Sequence, residues 1–455
     1  MRTADDGSDR CVDHRVPAAT AFGRRRFIAT AAAATAAAGL ATAGRAVAAP
    51  APPARYVALP SLRVADTRPA SRVGPPRQGN VVRIPIAGRT VDGVTVPGDA
   101  TTAVLTVVGI DRSGERNFLS AFPSGSAWPG TSNLNTEEAD VAVANLVTVR
   151  LGASGALDVR AERAADVVVD LAGVYVEADR GRATEGRFRA VAPPRRVVDT
   201  RTTPGMPGAG GVVRVDLTPY VQTEVIDVDA TAVSVNLTAA RPVADGFLTA
   251  YPFGTSLPST SSVNVARGRD RAIGAMVTLG RDRDGRVGFE VFVERGAHVI
   301  VDLMGYITGP SATSSTTGLL VALDPERVMD TRVGFPSGAS RLWPGWTQAF
   351  RLPSSIRDEA GTAVLNLTVA RALGPGFFSV NAAQTRDSTP TVSSLNVAAA
   401  GENTANHVVS EVSNAGVEVY SQTGGDVIVD LVAYYTGPPQ QATTPIPANP
   451  PPPSR

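Results

Sequence analysis

The sequence contains no lysine: all 43 of its basic side chains are arginine. It has one cysteine, Cys11, which lies in the leader described below. Disulfides, thiol catalysis and thiolate metal sites are therefore excluded from the rest of the chain. Histidine is nearly as scarce. His298 and His407 do not recur at equivalent points, and no His-x-x-x-His spacing or acidic cluster accompanies them. Neither a metal nor a cofactor is expected on that ground. Net charge is lacking too: beyond the first 48 residues, 36 arginines face 38 carboxylates. A nucleic-acid binder shows a basic stripe, so nucleic acid is not expected as a partner, and attraction to anionic lipid has no support. No apolar run past the leader could span a membrane. The Gly-x-Ser-x-Gly elbow, the phosphate-binding loop and the dinucleotide fingerprint are all missing. No catalytic residue is assigned, and a non-enzymatic protein is expected.

The leader is explicit. Gly23-Arg24-Arg25-Arg26-Phe27-Ile28 carries the twin-arginine pattern. A weakly apolar stretch from Ala29 to Ala43 follows, and Ala46-Val47-Ala48 has the small-x-small cleavage form. Residues 1–48 read as a twin-arginine signal peptide. The mature chain is expected to be exported already folded and then secreted or held at the cell surface. At the other end, residues 438–455 are Pro-rich and read as an extended, disordered tail.

Between these ends one unit occurs three times. Arg63-Val64-Ala65-Asp66-Thr67-Arg68 returns as Arg196-Val197-Val198-Asp199-Thr200-Arg201 and as Arg327-Val328-Met329-Asp330-Thr331-Arg332. Each copy closes alike, on Val167-Val168-Val169-Asp170-Leu171, Val299-Ile300-Val301-Asp302-Leu303 and Val427-Ile428-Val429-Asp430-Leu431. The period exceeds that of a solenoid, and each copy is large enough to bury its own core. Three domains follow, at 54–177, 185–309 and 318–437.

Within each copy, Val- and Leu-rich runs of strand length are bounded by turn residues such as Asp282-Arg283-Asp284-Gly285 and Ser413-Asn414-Ala415-Gly416. Asp-Gly and Asn-x-Gly supply the positive φ that hairpins need. No helical period of useful length appears outside the leader. The fold expected is all-β, three tandem β-sandwich domains of jelly-roll type with about nine strands each.

Asp170, Asp302 and Asp430 fall in what should be buried closing strands, where a carboxylate needs a partner. Arg68, Arg201 and Arg332 are the expected partners, so Arg201→Ala should destabilise the middle domain strongly. Asp66, Asp199 and Asp330 read as turn acids that complete these structural ion pairs. The competing reading makes Asp66 and Asp170 the paired carboxylates of a glycoside hydrolase, which requires an open cleft between them. Asn135, Asn264 and Asn396 read as turn or strand-end caps. Trp128, Trp343 and Trp346 stand in turn-like Trp-Pro-Gly sequence, where a ring could stack on a sugar or pack over a core edge.

These blocks together resemble a domain common in secreted proteins of high-GC Gram-positive bacteria. It has an opening Asp-Thr-Arg, a Ser-Asn-Leu-Asn block and a closing Val-Asp-x-x-Gly-Tyr. The resemblance covers nearly all of the mature chain. Such domains often accompany cell-wall hydrolases, which implies an accessory or surface-associated role and assigns no catalytic residue. The function expected is a non-catalytic binding or structural protein of the cell envelope, with cell-wall polysaccharide or another extracellular glycan as partner. Three copies would lend avidity to weak sites.

Overall fold

The computed structural model describes residues 51–451 apart from 72, 204, 386–388, 391 and 446–448, so the signal peptide expected at 1–48 lies outside the described residues. In repeat 1 the strands are Ala54–Asp66, Val81–Pro85, Ala100–Asp111, Asn117–Pro123, Leu134–Thr136, Ala142–Arg150, Ala156–Ala161 and Ala165–Glu177. The first, eighth, third and sixth of these pair antiparallel, in that order, into one sheet. The second, seventh, fourth and fifth form another. That interleaving is a jelly roll. Repeats 2 and 3 reproduce it, with opening strands Phe188–Asp199 and Leu320–Asp330 and closing strands His298–Ile307 and Asp426–Thr436. The shared set is eight strands. What the repeats add is local: a Thr90–Val91/Val94–Thr95 hairpin in repeat 1, and in repeat 2 a Gly280–Arg281 strand and the short helix Thr218–Gln222.

The two sheets explain two kinds of sequence pattern. Val81–Pro85 alternates, with Val82 and Ile84 buried and Arg83 and Pro85 exposed, because one face of its sheet meets solvent. The closing strands do not alternate. Val167, Val169 and Leu171 enter the sandwich core with Val82, Ile84, Leu119 and Leu157, while Val168 points the other way and packs with the core of repeat 2. A strand covered on both faces reads as an unbroken apolar run.

What covers that second face is the neighbouring repeats. Tyr56, Val104 and Tyr175 of repeat 1, Phe188, Ala232 and Ile307 of repeat 2, and Leu320, Val364 and Tyr435 of repeat 3 share one additional core. The Phe188 and Tyr435 rings stack with centroids 4.3 Å apart, and the Tyr175 and Tyr435 hydroxyls lie 2.6 Å apart. Burial pushes the Tyr56, Tyr175 and Tyr435 hydroxyls above the usual phenol range, so they stay protonated.

The repeats meet head to tail in a closed ring. Leu134–Thr136 of repeat 1 lies on Thr404–Glu411 of repeat 3, Leu395–Val397 of repeat 3 on Arg271–Thr278 of repeat 2, and Val263–Val265 of repeat 2 on Ala142–Arg150 of repeat 1. The linkers are welded as well. Ala183 and Ser315 pair in both directions, and the fully buried Arg187 donates to the carbonyls of Thr184, Thr313 and Thr317. By contacts, the described residues of the three repeats form one unit.

The tail departs from expectation. Gln440 N–H donates to Val412 O at 2.8 Å, Gln440 O accepts from Asn414 N–H at 2.8 Å, and Asn449 Oδ1 accepts from Thr347 N–H at 2.8 Å. A rim of unpaired backbone groups on repeat 3 orders the described part of a segment whose composition alone would leave it loose. Among the described residues no helix is long and apolar enough to cross a membrane.

Candidate functional site

The cross-strand register decides what the repeated acids do. Opening and closing strands pair so that Arg63 stands opposite Asp170, Arg196 opposite Asp302 and Arg327 opposite Asp430. Residues directly opposite on one face are the pairs that interact in a sheet. Arg63 is bidentate to Asp170 at 2.8 and 3.0 Å, Arg196 to Asp302 at 2.8 and 3.1 Å, and Arg327 to Asp430 at 2.9 and 3.2 Å. This corrects the pairing expected from sequence, which gave these acids to Arg68, Arg201 and Arg332. Those arginines follow the end of the strand and fold back on their own turn. Arg68 donates to Asp66 from Nε at 2.9 Å, from Nη2 at 2.6 Å and from its backbone N–H at 3.0 Å. Arg201 holds Asp199, and Arg332 holds Asp330, in the same way.

The two pairs join into one chain of alternating charge, since Nη1 of the first arginine also reaches the turn acid: 3.7 Å in repeat 1, 3.5 Å in repeat 2 and 3.1 Å in repeat 3. Burial pushes the carboxyls of Asp170, Asp302 and Asp430 up, with the facing arginine pulling against it. Asp66 and Asp330 are also raised by burial, but hydrogen bonds from Arg68 and Arg332 outweigh that and hold them below the usual range. Arg201 does the same for Asp199. The central threonine completes the turn: Thr67, Thr200 and Thr331 Oγ1 accept from the backbone N–H of Val167, Val299 and Val427. Asp-Thr-Arg is thus a clip between opening and closing strands. The hydrolase reading needs a cleft between Asp66 and Asp170, and that space is filled by the Arg63 guanidinium.

The acids face the neighbouring repeat and not the sandwich interior, because Val169 and Leu171 on either side point inward. Ser261 N–H of repeat 2 donates to Asp170 of repeat 1 at 3.3 Å. At the other junctions Asn366 Nδ2 donates to Ser132 O at 2.8 Å, and Asn236 Nδ2 to Ser393 O at 2.6 Å. Asn145 and Asn366 meet across one junction at 3.3 Å, and Asn236 and Asn406 across another at 3.3 Å. His407 is buried beside them, its Nε2 3.0 Å from Thr148 Oγ1 of repeat 1, and burial holds it down to about 4.

Asn135, Asn264 and Asn396 are not turn caps. Each is the middle residue of a three-residue strand, opposite Phe118, Phe247 and Phe377. Inward-facing Leu134, Val263 and Leu395 precede them, so alternation turns each Asn toward a junction. Asn264 Oδ1 accepts from Ser261 Oγ at 3.1 Å. The capping role belongs to a residue the sequence reading passed over: Asn133 Oδ1, Ser262 Oγ and Ser394 Oγ accept from the backbone N–H of Ala121, Ala250 and Val380.

The tryptophans separate. Trp343 and Trp346 close a turn on Gly345 (φ +80°), and the Trp346 indole donates to Pro450 O at 2.7 Å, so that ring is engaged by the chain's own tail. Trp128 is 39% exposed and lies nearly parallel to Phe118, at 18° with centroids 5.9 Å apart, while the Arg160 guanidinium sits 4.4 Å over its ring. Trp128 and Phe118 line a groove of about 800 Å³ between repeats 1 and 3, with Arg116, Arg332, Val333 and Arg371. Arg327 lines this groove and also an adjoining one of about 610 Å³ that carries Phe335 and Pro336. The arginines are anchored by Glu137, Asp330 and Asp426, yet the side chains of Arg116, Arg332 and Arg371 remain 71%, 40% and 59% exposed. A guanidinium has five donors in a fixed fork, so one held by a carboxylate keeps others for a ligand.

No family model matches the chain, and no curated protein matches it. Among solved structures it is similar to the N-terminal CBM22-1-CBM22-2 tandem domain from Paenibacillus barcinonensis Xyn10C, at 12% identity and a TM-score of 0.16, over 58% of this chain and 100% of that one. That degree of superposition is too low to transfer a site from one to the other.

Proposed function

We propose that this is a secreted, non-catalytic protein of the cell envelope that binds polysaccharide. The observation that carries the reading is the groove between repeats 1 and 3, where exposed Trp128 lies against half-buried Phe118 among part-exposed arginines. A polysaccharide presents the complement, with apolar ring faces for the aromatic surface and hydroxyl or carboxylate oxygens for the guanidinium donors. The repeated carboxylates support a binding role over a hydrolytic one, since each is engaged by arginine within its own repeat. Export by the leader at 1–48 places the protein where such polymers are found.

Pull-down of the mature chain on insoluble peptidoglycan, chitin and cellulose tests this reading. Retention on at least one of them, weakened by competing soluble oligosaccharide, is the expected result. A protein that stays in the supernatant with all three does not have this function.

A further inference from the structure

The groove residues have counterparts in the other repeats, and comparing them distinguishes the three junctions. Trp128-Pro129 stands where Leu257-Pro258 and Thr389-Pro390 stand, just ahead of equivalent short strands. Each of these blocks lies against the neighbouring repeat around the head-to-tail ring. The Ser132–Asn366, Ser261–Asp170 and Ser393–Asn236 contacts fix which repeats meet. Trp128 therefore stands at the junction of repeats 1 and 3, Leu257 at that of repeats 2 and 1, and Thr389 at that of repeats 3 and 2.

Only the junction of repeats 1 and 3 carries an aromatic ring at this position. Trp128 is 39% exposed, and Val333, which lines the same groove from repeat 3, is 75% exposed. The groove between repeats 2 and 3, about 590 Å³, is lined by Ala192, Pro193, Met304, Thr389, Pro390 and neighbours that, among the described residues, include no aromatic ring. Rigid aromatic side chains give large contact area at little entropic cost, which is why they dominate binding energies. We infer that the junction of repeats 1 and 3 is the molecule's carbohydrate-binding site, with Trp128 and Val333 on its two walls, and that the other two junctions only hold the ring together. The consequence is one polysaccharide site per chain in place of the three-site avidity that a simple repeat would give.

This inference rests on the polysaccharide-binding reading, and paired variants keep the two apart. Trp128→Ala with Val333→Ala removes both walls of the proposed site, while Leu257→Ala with Thr389→Ala truncates the equivalent positions at the other two junctions. All four side chains are exposed, and equal melting temperatures establish that both variants fold. On whichever of peptidoglycan, chitin or cellulose retains the wild type, the first variant should bind about tenfold more weakly, the loss expected of a hot-spot pair. The second should bind like the wild type. Equal losses in the two variants, or full retention of the first, overturn the single-site inference and leave polysaccharide binding standing. A wild type retained by none of the three polymers overturns both.

Discussion

Arg63 and Arg68 belong to one motif and hold different acids. Arg63 neutralises an Asp170 carboxylate that is 1% exposed, while Arg68 closes a turn and is itself 36% exposed. Removing one partner of a buried pair costs about 3–5 kcal/mol, because the remaining charge is stranded. Arg63→Ala should therefore lower stability by about 3 kcal/mol, and Arg68→Ala by clearly less, in urea unfolding at neutral pH. Equal effects would mean that Asp170 finds another partner. His407 supplies a residue-scale pH dependence. Its folded value near 4 lies below the ordinary histidine value, so the unfolded chain takes up a proton first as pH falls. Stability from this site is complete above about pH 6.5 and is lost as pH falls toward 4, by about 3 kcal/mol in all. His407→Gln should flatten that part of the stability curve, and an unchanged pH profile would remove the histidine from the account.

At the scale of elements, the sequence carried most of the architecture and little of the register. Val- and Leu-rich runs with Gly-containing turns were enough for an all-β jelly roll. The acid–base partners were misassigned because spacing along the chain does not say which residues stand opposite each other; a bulge between Arg63 and Ala65 resets the pairing. The asparagines read as turns because Asn favours turns in general, and a three-residue strand is too short to show alternation. Glycine in the closing strands was another silent feature. A Cβ on Gly305 would lie 2.3 Å from the Phe188 ring and 2.6 Å from Arg189 O, so this strand approaches its neighbour as only glycine allows. Gly305→Ala should cost about 1–3 kcal/mol, the usual penalty for overpacking. A melting temperature equal to that of the wild type would show that the opening strand can move aside.

At the scale of the whole molecule, the shared core of Tyr56, Phe188, Tyr435 and their neighbours makes the repeats interdependent. An isolated middle repeat would expose Phe188, Ala232 and Ile307 to water, so residues 185–309 alone should be far less stable than the same segment in the full chain. Calorimetry should show one transition for the full chain, because the cores are continuous through the junctions. Three resolved transitions would return the protein to independent domains. The junctions also differ from one another. Asn–Asn contacts occur at two of them, and a Ser261–Asp170 contact replaces them at the third. Such mismatched polar contacts favour one cyclic order of the repeats over the other.

Ala54 pairs with Leu320, and Leu320 pairs in turn with Tyr435 near the end of the last strand. The polypeptide thus enters and leaves the ring at one place, so which repeat is translated first is a matter of where the gene was cut. Joining residue 437 to residue 51 and opening the chain at the exposed Arg180 would give a rearranged gene whose product has the same ring, the same grooves and different ends.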